Sequence, residues 1–443
     1  MVSASAVHAQ SIRDALSATY QNNPTLNAAR AQLRGVDENV PQALAGWRPS
    51  ITGSAAVGMV NQSDQGFTGG GFSDTTVAVQ VVQPLFRGFR TVNSTRQAEA
   101  IVRAQREDLR VTEQTALLQA ATAYMDVIRD TGIVALRRSD LKFQEELVRA
   151  SKDRFSVGEG TRTDVAQAEA GRARSQSALN TALANLNTSR AVFRQVIGVD
   201  PKNLNPRSNV ASLLPKSVSQ AIAVGQEEHP SIMSALHFVD AGIFAVKTAE
   251  GTLLPTVNVE GNLSSNYRSS NGRSLGGNGT TNTASIFGRV TVPIYQQGTE
   301  YSAIRQAKEE LGQTEILVDV ARDTVRAQAI SSWGQLNASE ASITAAQAEV
   351  AAATLALEGV VEEQRVGQRT TLDVLDSQSD LVDARVTLIT AQRDKVVAAY
   401  ALLSSVGRLN YTHLGLTVPQ YDPREHYNAV RDKWIGLRTP DGR

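Results

Sequence analysis

The chain has 443 residues, and its 44 basic residues balance 44 acidic ones, so its charge gives no support to a nucleic-acid-binding surface. It has no cysteine, which excludes disulfides and thiolate metal sites, and none of its five histidines is paired at the spacing of a zinc site. Aromatic residues make up only 5% of the chain, whereas seams of Ala, Leu and Val suit packing between helices.

Residues 1–10 contain the small residues of a signal-peptide cleavage region but lack its apolar core. We interpret them as the remnant of an export signal, and an ordinary disordered start is the alternative. Elsewhere no run of about 18 apolar residues occurs, so no transmembrane helix is expected.

A helix is predicted from Ser11 to about Trp47. Ser11 and Asp14 form a capping box at its start, and Asn23-Pro24 should kink or restart it. Strands of alternating polarity follow at about 49–60 and 75–84.

The segment 61–74 between these strands is predicted to be a loop, and it contains Gly69-Gly70-Gly71. A phosphate-binding role would need a lysine–serine signature after the glycines. That signature is missing, so we interpret the glycines as a flexible hairpin tip.

From Gly88 to Phe155 the chain has no proline and almost no glycine. About 68 residues of continuous helix would reach roughly 100 Å, which indicates a coiled-coil rod. After a turn at 157–164, a shorter helix runs to Ile197, and its seam positions recur every seven residues.

The second half repeats this plan, with Ser/Asn/Gly-rich residues 267–283 as the loop. Its predicted elements are a helix at 217–254, strands at about 255–266 and 285–293, a long helix at about 300–365 and a shorter helix at 371–406. The tail differs in composition, and its one short helix, near 423–436, begins with a first-turn proline.

The chain is an internal duplication. The turn at 157–164 recurs 209 positions later at 366–373, and Pro24 recurs 206 positions later as Pro230. The predicted organisation is a first repeat at 11–205, a connector at 206–216, a second repeat at 217–407, and a C-terminal segment at 408–443 that packs on the outside of the rod.

The four predicted strands each set an apolar face against a polar face, which is typical of transmembrane barrel strands. Four strands cannot close a barrel, and open strand edges cannot lie in lipid. Three chains would supply twelve strands. The alternative is a soluble four-stranded sheet with one wet face, but such a sheet has no use for very long helices.

The sequence resembles the TolC family of outer-membrane channel proteins over nearly its whole length. The resemblance rests on the duplicated helix–strand–strand–helix plan, on the strand-closing motifs Pro84-Leu85-Phe86 and Pro293-Ile294-Tyr295, and on the Val-Gly-x-Arg-Thr-x-x-Asp-Val-Leu-Asp turn at 366–376. It implies a mostly α-helical fold with a small β part, in which long coiled-coil helices form a tunnel. Three chains would form a homotrimer with a twelve-stranded transmembrane β-barrel in outer-membrane lipid.

The resemblance also implies a function. Members serve as the passive exit duct of a tripartite efflux or type I secretion system in a Gram-negative bacterium. The tunnel lies in the periplasm and docks there on a periplasmic adaptor (membrane fusion) protein and an inner-membrane transporter.

By resemblance, Asp373 and Asp376 line the aperture at the periplasmic tip. Three chains would place six carboxylates around one opening, which should favour cations and resist full ionisation. The alternative is that the two aspartates only cap a helix or face water.

Thr163, Asp164 and Arg369 match positions whose links between neighbouring coils hold the family's aperture shut. A guanidinium opposite a carboxylate and a hydroxyl suits that role. The sequence departs from the family at Gln364, where tyrosine is the pattern. Gln364 retains the ability to hydrogen-bond Asp164.

Two other classes of function compete. A soluble coiled-coil scaffold leaves the strand alternation unexplained. An enzyme using the Asp373/Asp376 pair for acid–base chemistry would need a pocket, and no aromatic residue or histidine lies nearby. No nucleotide-binding loop with its lysine is present. The chain is therefore expected not to be an enzyme and to carry no cofactor.

Overall fold

The computed structural model describes residues 10–64, 67–207, 210–270 and 278–442. The predicted export-signal remnant, apart from Gln10, lies outside these residues. The chain divides into two compact units, the first comprising Met1–Gln32, Arg106–Met233 and Asp319–Asp422, and the second comprising Leu33–Gln105, Ser234–Val318 and Pro423–Arg443.

The fold is mostly helical with four antiparallel strands, as predicted. The elements of the first half are α1 (Ile12–Asn22), α2 (Pro24–Asp37), α3 (Asn39–Leu44), β1 (Ser50–Asp64), β2 (Phe67–Arg87), α4 (Arg90–Ser156) and α5 (Arg162–Ile197). Those of the second half are α6 (Val218–Glu228), α7 (Pro230–Glu250), β3 (Thr256–Ser270), β4 (Gly279–Thr291), α8 (Thr299–Arg365), α9 (Thr371–Ser405) and α10 (Pro423–Val430). The two long helices, α4 and α8, each have 67 residues.

The single helix predicted for residues 11–47 is three helices. The capping box of Ser11 and Asp14 is confirmed. Asn23 ends α1, and its side-chain oxygen accepts a hydrogen bond from the backbone nitrogen of Leu26 (3.1 Å), which caps α2. In the second half His229 does the same between α6 and α7, since its Nδ1 accepts from the backbone nitrogen of Ser231 (3.2 Å).

The strands form one sheet in the order β1-β2-β3-β4, every neighbour antiparallel. The predicted loops at 61–74 and 267–283 are wrong for their described residues, because β1 and β2 pair to Asp64 and Phe67, and β3 and β4 pair to Arg268 and Gly279. Polar residues and glycines in these segments lack the alternation of apolar and polar residues that predicts a strand. The backbone hydrogen bonds between strands do not depend on that alternation.

One face of the sheet is apolar and exposed, as the alternation predicted. Val57, Met59 and Ile286 are 80%, 90% and 81% exposed. On the opposite face Asn266 donates to Asp74 (3.1 Å) and to Thr76 (3.0 Å). The sheet therefore has the two-faced character of barrel strands.

A tight strand-to-helix turn follows β2 and recurs after β4. Gly88 and Phe89 both have φ of 60°, and Gln297 and Gly298 repeat this left-handed pair with φ of 59° and 85°. Only the first turn is crowded: a Cβ on Gly88 would lie 2.3 Å from the carbonyl oxygen of Gly251.

The core of the first unit joins α1, α4, α5 and α9. Its largest fully buried side chains include Tyr124, Phe193 and Leu402. Part of the predicted seven-residue seams belongs to it, namely Leu179, Leu186, Phe193 and Leu402. Val374 and Leu381 are buried outside it, whereas the seam positions Arg172 and Lys395 are exposed.

Helix α8 differs from the other long helix because it exposes apolar side chains along its length. Ile316 is 65% exposed and Leu355 is 70% exposed. A single chain thus leaves apolar area of α8 in contact with solvent.

One helical stretch among the described residues, Val218–Leu253, is long and apolar enough to cross a membrane by length and composition. Polar residues interrupt its apolar sequence, so it contains no run of 18 consecutive apolar residues. The break between α6 and α7 at His229 lies within this stretch.

The C-terminal segment contributes to the first unit's core through Leu409 and Leu414, both buried. The predicted helix at 423–436 ends early, at Val430. Beyond it Arg48 donates to the carbonyl of Lys433 (3.0 Å) and lies 4.9 Å from the ring of Trp434, which holds these residues outside a helix. The first-turn proline, Pro423, is confirmed.

Candidate functional site: the two helix-hairpin turns

The turn between α4 and α5 is fixed by backbone and capping hydrogen bonds. Gly158 has φ of 82°, and the next amide, of Glu159, donates to the carbonyl of Arg154 (2.9 Å). This is a glycine-based helix end that satisfies the last carbonyls of α4. The hydroxyl of Thr161 then accepts from the backbone of Asp164, and its own amide donates to the Asp164 carboxylate (3.0 Å).

The turn between α8 and α9 has the same construction. Gly367 has φ of 80°, and the amide of Gln368 donates to the carbonyl of Glu363 (2.9 Å). The amide and hydroxyl of Thr370 both donate to the Asp373 carboxylate at 2.8 Å. Both repeats therefore begin their second helix with a threonine–aspartate capping box.

The capping hydrogen bonds stabilise both carboxylates in their charged form. The side-chain and backbone hydrogen bonds from Thr161 lower the pKa of Asp164. The backbone and side-chain hydrogen bonds from Thr370 lower the pKa of Asp373. Within one chain, the lowered pKa values favour the ionised carboxylates. This effect opposes the mutual repulsion that would keep an aperture ring from ionising fully.

Asp376 lies one turn beyond Asp373 on α9 and is exposed. It makes no hydrogen bond or ion pair within the part of the chain that the structure describes. The two predicted aperture residues therefore differ: Asp373 belongs to a cap, and Asp376 faces solvent.

Arg369 is engaged within its own turn. Its Nε donates to Glu363 (2.9 Å), and its Nη1 lies 3.9 Å from Asp373. The structure does not bring it to Asp164 or Thr163 of the same chain. Thr163 itself is exposed in the first turn of α5.

A relay joins three helices at the start of α9. Gln364 on α8 donates to the hydroxyl of Thr371 (3.3 Å), and the Thr371 side chain in turn helps to lower the pKa of the Asp164 carboxyl on α5. Gln364 thus reaches Asp164 through Thr371 and not directly.

Sequence analysis missed Thr371, which is buried, and the two capping threonines, Thr161 and Thr370. The threonine–x–x–aspartate spacing was sufficient to find the caps. No spacing indicates Thr371, because its partners lie on two other helices. Nowhere in residues 10–64, 67–207, 210–270 and 278–442 do three or more His, Asp or Glu side chains come together as a metal site would need.

Paired long helices with duplicated turns, together with a sheet that exposes an apolar face, define the class of helical membrane channel subunits. The chain belongs to the outer membrane efflux protein family, whose model matches residues 15–199 and 222–408, one segment in each repeat. This is a family of transport proteins, in line with the expectation that the chain is not an enzyme.

The chain is similar to the outer membrane efflux protein BepC of Brucella suis biovar 1, with 48% identity over 436 residues, which are 98% of this chain and 93% of that protein. It is 25% identical to the outer membrane protein TolC of Escherichia coli over 405 residues, 88% of this chain and 80% of that protein. Its fold matches the Campylobacter jejuni CmeC outer membrane channel with a TM-score of 0.77 at 15% identity, covering 95% of this chain and 89% of that one.

These comparisons confirm the resemblance to the TolC family and the location in the cell outer membrane. The alternative of a soluble coiled-coil scaffold is wrong, because the family is one of outer-membrane efflux proteins.

Proposed function

We propose that three copies of the chain form the passive exit duct of a tripartite efflux or type I secretion system. The tunnel is closed at its periplasmic tip, and docking of a periplasmic adaptor protein and an inner-membrane transporter opens it.

The sheet is the observation that carries this proposal. Its apolar face suits lipid and its polar face suits an aqueous lumen. Among the described residues, β1 and β4 each pair with a single neighbouring strand. Strand edges are not tolerated in lipid, so each edge needs a strand from another copy, and twelve strands from three copies give a closed barrel.

The two capped turns supply the proposed closure. Asp373 and Asp376 from three copies would surround the opening with carboxylates and favour cations. Asp376 is exposed and unengaged, so it is the stronger candidate for binding ions in the lumen. Asp373 would contribute charge while it caps α9.

The proposed gate residues are Thr163, Asp164, Arg369 and Gln364. The relay from Gln364 through Thr371 to Asp164 links the two coils of one chain. Thr163 is exposed, and Arg369 would exchange its exposed ion pair with Glu363 for a link to a neighbouring copy. Opening would then exchange one packing of the coils for another, driven by partners that contact the open state better.

The test is the conductance of detergent-purified protein in planar bilayers, with a trivalent cation added on the periplasmic side. A small, cation-preferring conductance is expected. The cation should block the wild type and fail to block the Asp373→Asn/Asp376→Asn double variant. The single variant Asp376→Asn leaves the cap intact and should lose most of the block.

Block of equal strength in the wild type and the double variant would move the constriction away from these aspartates. Absence of conductance, in both the wild type and an Arg369→Ala variant expected to open the gate, would contradict the duct itself.

A further inference from the structure

A buried polar cluster inside the coils has no part in the turns described above. Asp140 of α4 is 7% exposed, and its two carboxylate oxygens have partners on two different helices. One oxygen accepts from the hydroxyl of Ser175 on α5 (2.6 Å), and the other accepts from the side-chain amide of Gln378 on α9 (2.9 Å). One carboxylate thus ties the first coil to α9 of the second coil.

Side chains from two other helices pack over Gly171 near this cluster. A Cβ on Gly171 of α5 would lie 2.8 Å from Leu375 of α9 and 3.0 Å from the side-chain oxygen of Gln144. Glycine at this position leaves room for the end of the Leu375 side chain, so α9 packs against α5 beside the cluster. Gln144 is 6% exposed, and its Oε1 is buried with no hydrogen-bond partner among the described residues.

Because Asp140 is an acidic residue, the energetic value of its contact with Gln378 depends on whether α9 is in place. Asp140 forms no ion pair within the described part of the chain, so its buried carboxylate depends on two neutral donors. When α9 is in place, loss of the Gln378 donor leaves the carboxylate poorly satisfied, which is costly. When α9 moves away, water can replace the amide, so the separated state carries no comparable penalty.

We propose that the Asp140–Gln378 hydrogen bond is a second latch, which sets the equilibrium between closed and open packing of the coils. This inference rests on the proposed duct function. Asp140 and Gln378 are positioning residues that act through α9 and lie apart from the gate residues of the turns. Ser175 belongs to the same coil as Asp140 and orients the carboxylate toward α9.

The test reverses the donor and the acceptor. Gln378→Glu removes the amide donor and places a second carboxylate against Asp140. The open fraction, measured as the time spent open in planar bilayers, should rise about tenfold. Asp140→Asn/Gln378→Glu restores a donor facing an acceptor with unchanged side-chain size and should return the open fraction to that of the wild type.

Two further variants separate the latch from loss of structure. Ser379→Glu adds the same charge at the neighbouring exposed position and should leave the open fraction unchanged. Gln378→Met keeps the volume, removes the donor and adds no charge, and should also raise the open fraction. This neutral variant keeps the test decisive if Gln378→Glu does not assemble.

A distance measurement gives a readout that does not depend on a pore. The chain has no native cysteine, so spin labels can be placed by Ala173→Cys on α5 and Arg385→Cys on α9. Trimers assembled with an excess of unlabelled chains then report the separation of the coils within one chain. A longer-distance population should grow in Gln378→Glu and shrink again in the double variant.

An open fraction and a label distance in Gln378→Glu no different from those in Ser379→Glu would overturn the latch. So would failure of the folded double variant to restore them. If label distances respond as expected while neither the wild type nor any variant conducts, the latch stands and the proposed duct function fails.

Discussion

At the scale of single residues, each turn depends on one threonine and one aspartate. Within one chain Asp373 caps α9, which was the alternative to a place in the aperture. The Asp373 carboxylate accepts from Thr370, and Arg369 lies 3.9 Å away. Capping does not remove the charge, since the same hydrogen bonds favour the ionised form. A capping role and a place in an aperture are therefore compatible.

Loss of a capping hydroxyl should loosen the first turn of its helix. In Thr161→Ala and Thr370→Ala we expect backbone amides at the start of α5 and α9 to exchange about fivefold faster, the usual effect of a lost N-cap. Hydrogen exchange with mass analysis measures this. Ser177→Ala removes an exposed hydroxyl of α5 away from the capping boxes and the proposed gate residues and should leave these amides unchanged, so equal effects in all three would contradict the assignment.

Glu113 on α4 is a buried carboxyl whose stability contribution should vary with pH. Burial raises its pKa from 4.5 to about 7, although the carboxylate accepts from the backbone nitrogen of Tyr411 (2.8 Å) and faces Arg30 and Arg110. The folded protein therefore retains a proton that the unfolded chain releases. Stability falls as pH rises from about 4.5 to about 7, and the cost above this window is roughly 3 kcal/mol.

Glu113→Gln should remove this pH dependence, because its amide oxygen still accepts from Tyr411 and carries no charge. Thermal unfolding in detergent between pH 5 and pH 8, read by circular dichroism, measures it. The exposed Glu145→Gln serves as the control. A variant that loses stability with rising pH as steeply as the wild type would contradict the role of Glu113.

The capping residues are readable in the sequence, because a helix start has a short local signature. Glu113 and Asp140 are not, since a sequence shows that a residue is acidic and does not show that its helix face is covered. The relay through Thr371 was missed for the same reason. Its three members become neighbours only when α5, α8 and α9 pack.

At the scale of elements, the turn after β2 is the most tightly constrained join. Gly88→Ala would combine a left-handed φ with a Cβ 2.3 Å from the Gly251 carbonyl oxygen. We expect a loss of roughly 3 kcal/mol or more in stability and little folded protein in the membrane fraction. Gly298→Ala shares the left-handed φ but meets no atom within 4 Å, so it should cost only about 1–2 kcal/mol.

Yield from outer membranes and the thermal midpoint distinguish these two variants. Similar behaviour of both would show that backbone conformation, and not the close approach to Gly251, sets the constraint.

The helices were largely predictable because their signals are long and redundant. Prolines and glycines marked their ends, and seven-residue seams marked their buried faces. The strands were predicted too short at the hairpin ends, where Ser, Asn and Gly lack alternation but the backbone pairing continues. The break at Asn23 was predicted, whereas the further division of α2 from α3 was not, although Pro41, four residues after Asp37, lacks the amide that would continue the helix.

At the scale of the whole molecule, one chain leaves two kinds of surface uncovered. The sheet has two free edges, and α8 exposes apolar side chains such as Ile316 and Leu355. Both are expected of a subunit whose neighbours are copies of itself. The order of helices and strands was readable in the sequence because each motif of the first repeat recurs in the second. No comparable pattern in the sequence indicates which adaptor protein or transporter the chain would bind.

Neighbouring copies should be joined through β1 and β4. Cysteines introduced by Gly53→Cys and Ala284→Cys, treated with a bifunctional reagent of about 10 Å span, roughly two strand spacings, should yield bands of two and three chains. Denaturing gels after reaction in detergent measure this. Each single-cysteine protein is the control and should give neither the band of two chains nor the band of three chains. Bands of one chain only would contradict a shared barrel.

The Asp140–Gln378 contact has a consequence for how the protein responds to temperature. Exposing apolar surface changes the heat capacity strongly, and exposing polar groups changes it less and with the opposite sign. A closure that buries a carboxylate and an amide, both of which become hydrated on opening, should therefore have a small heat-capacity change. The balance between its two states would then follow one nearly constant enthalpy, without the curvature with temperature that is typical of apolar interfaces.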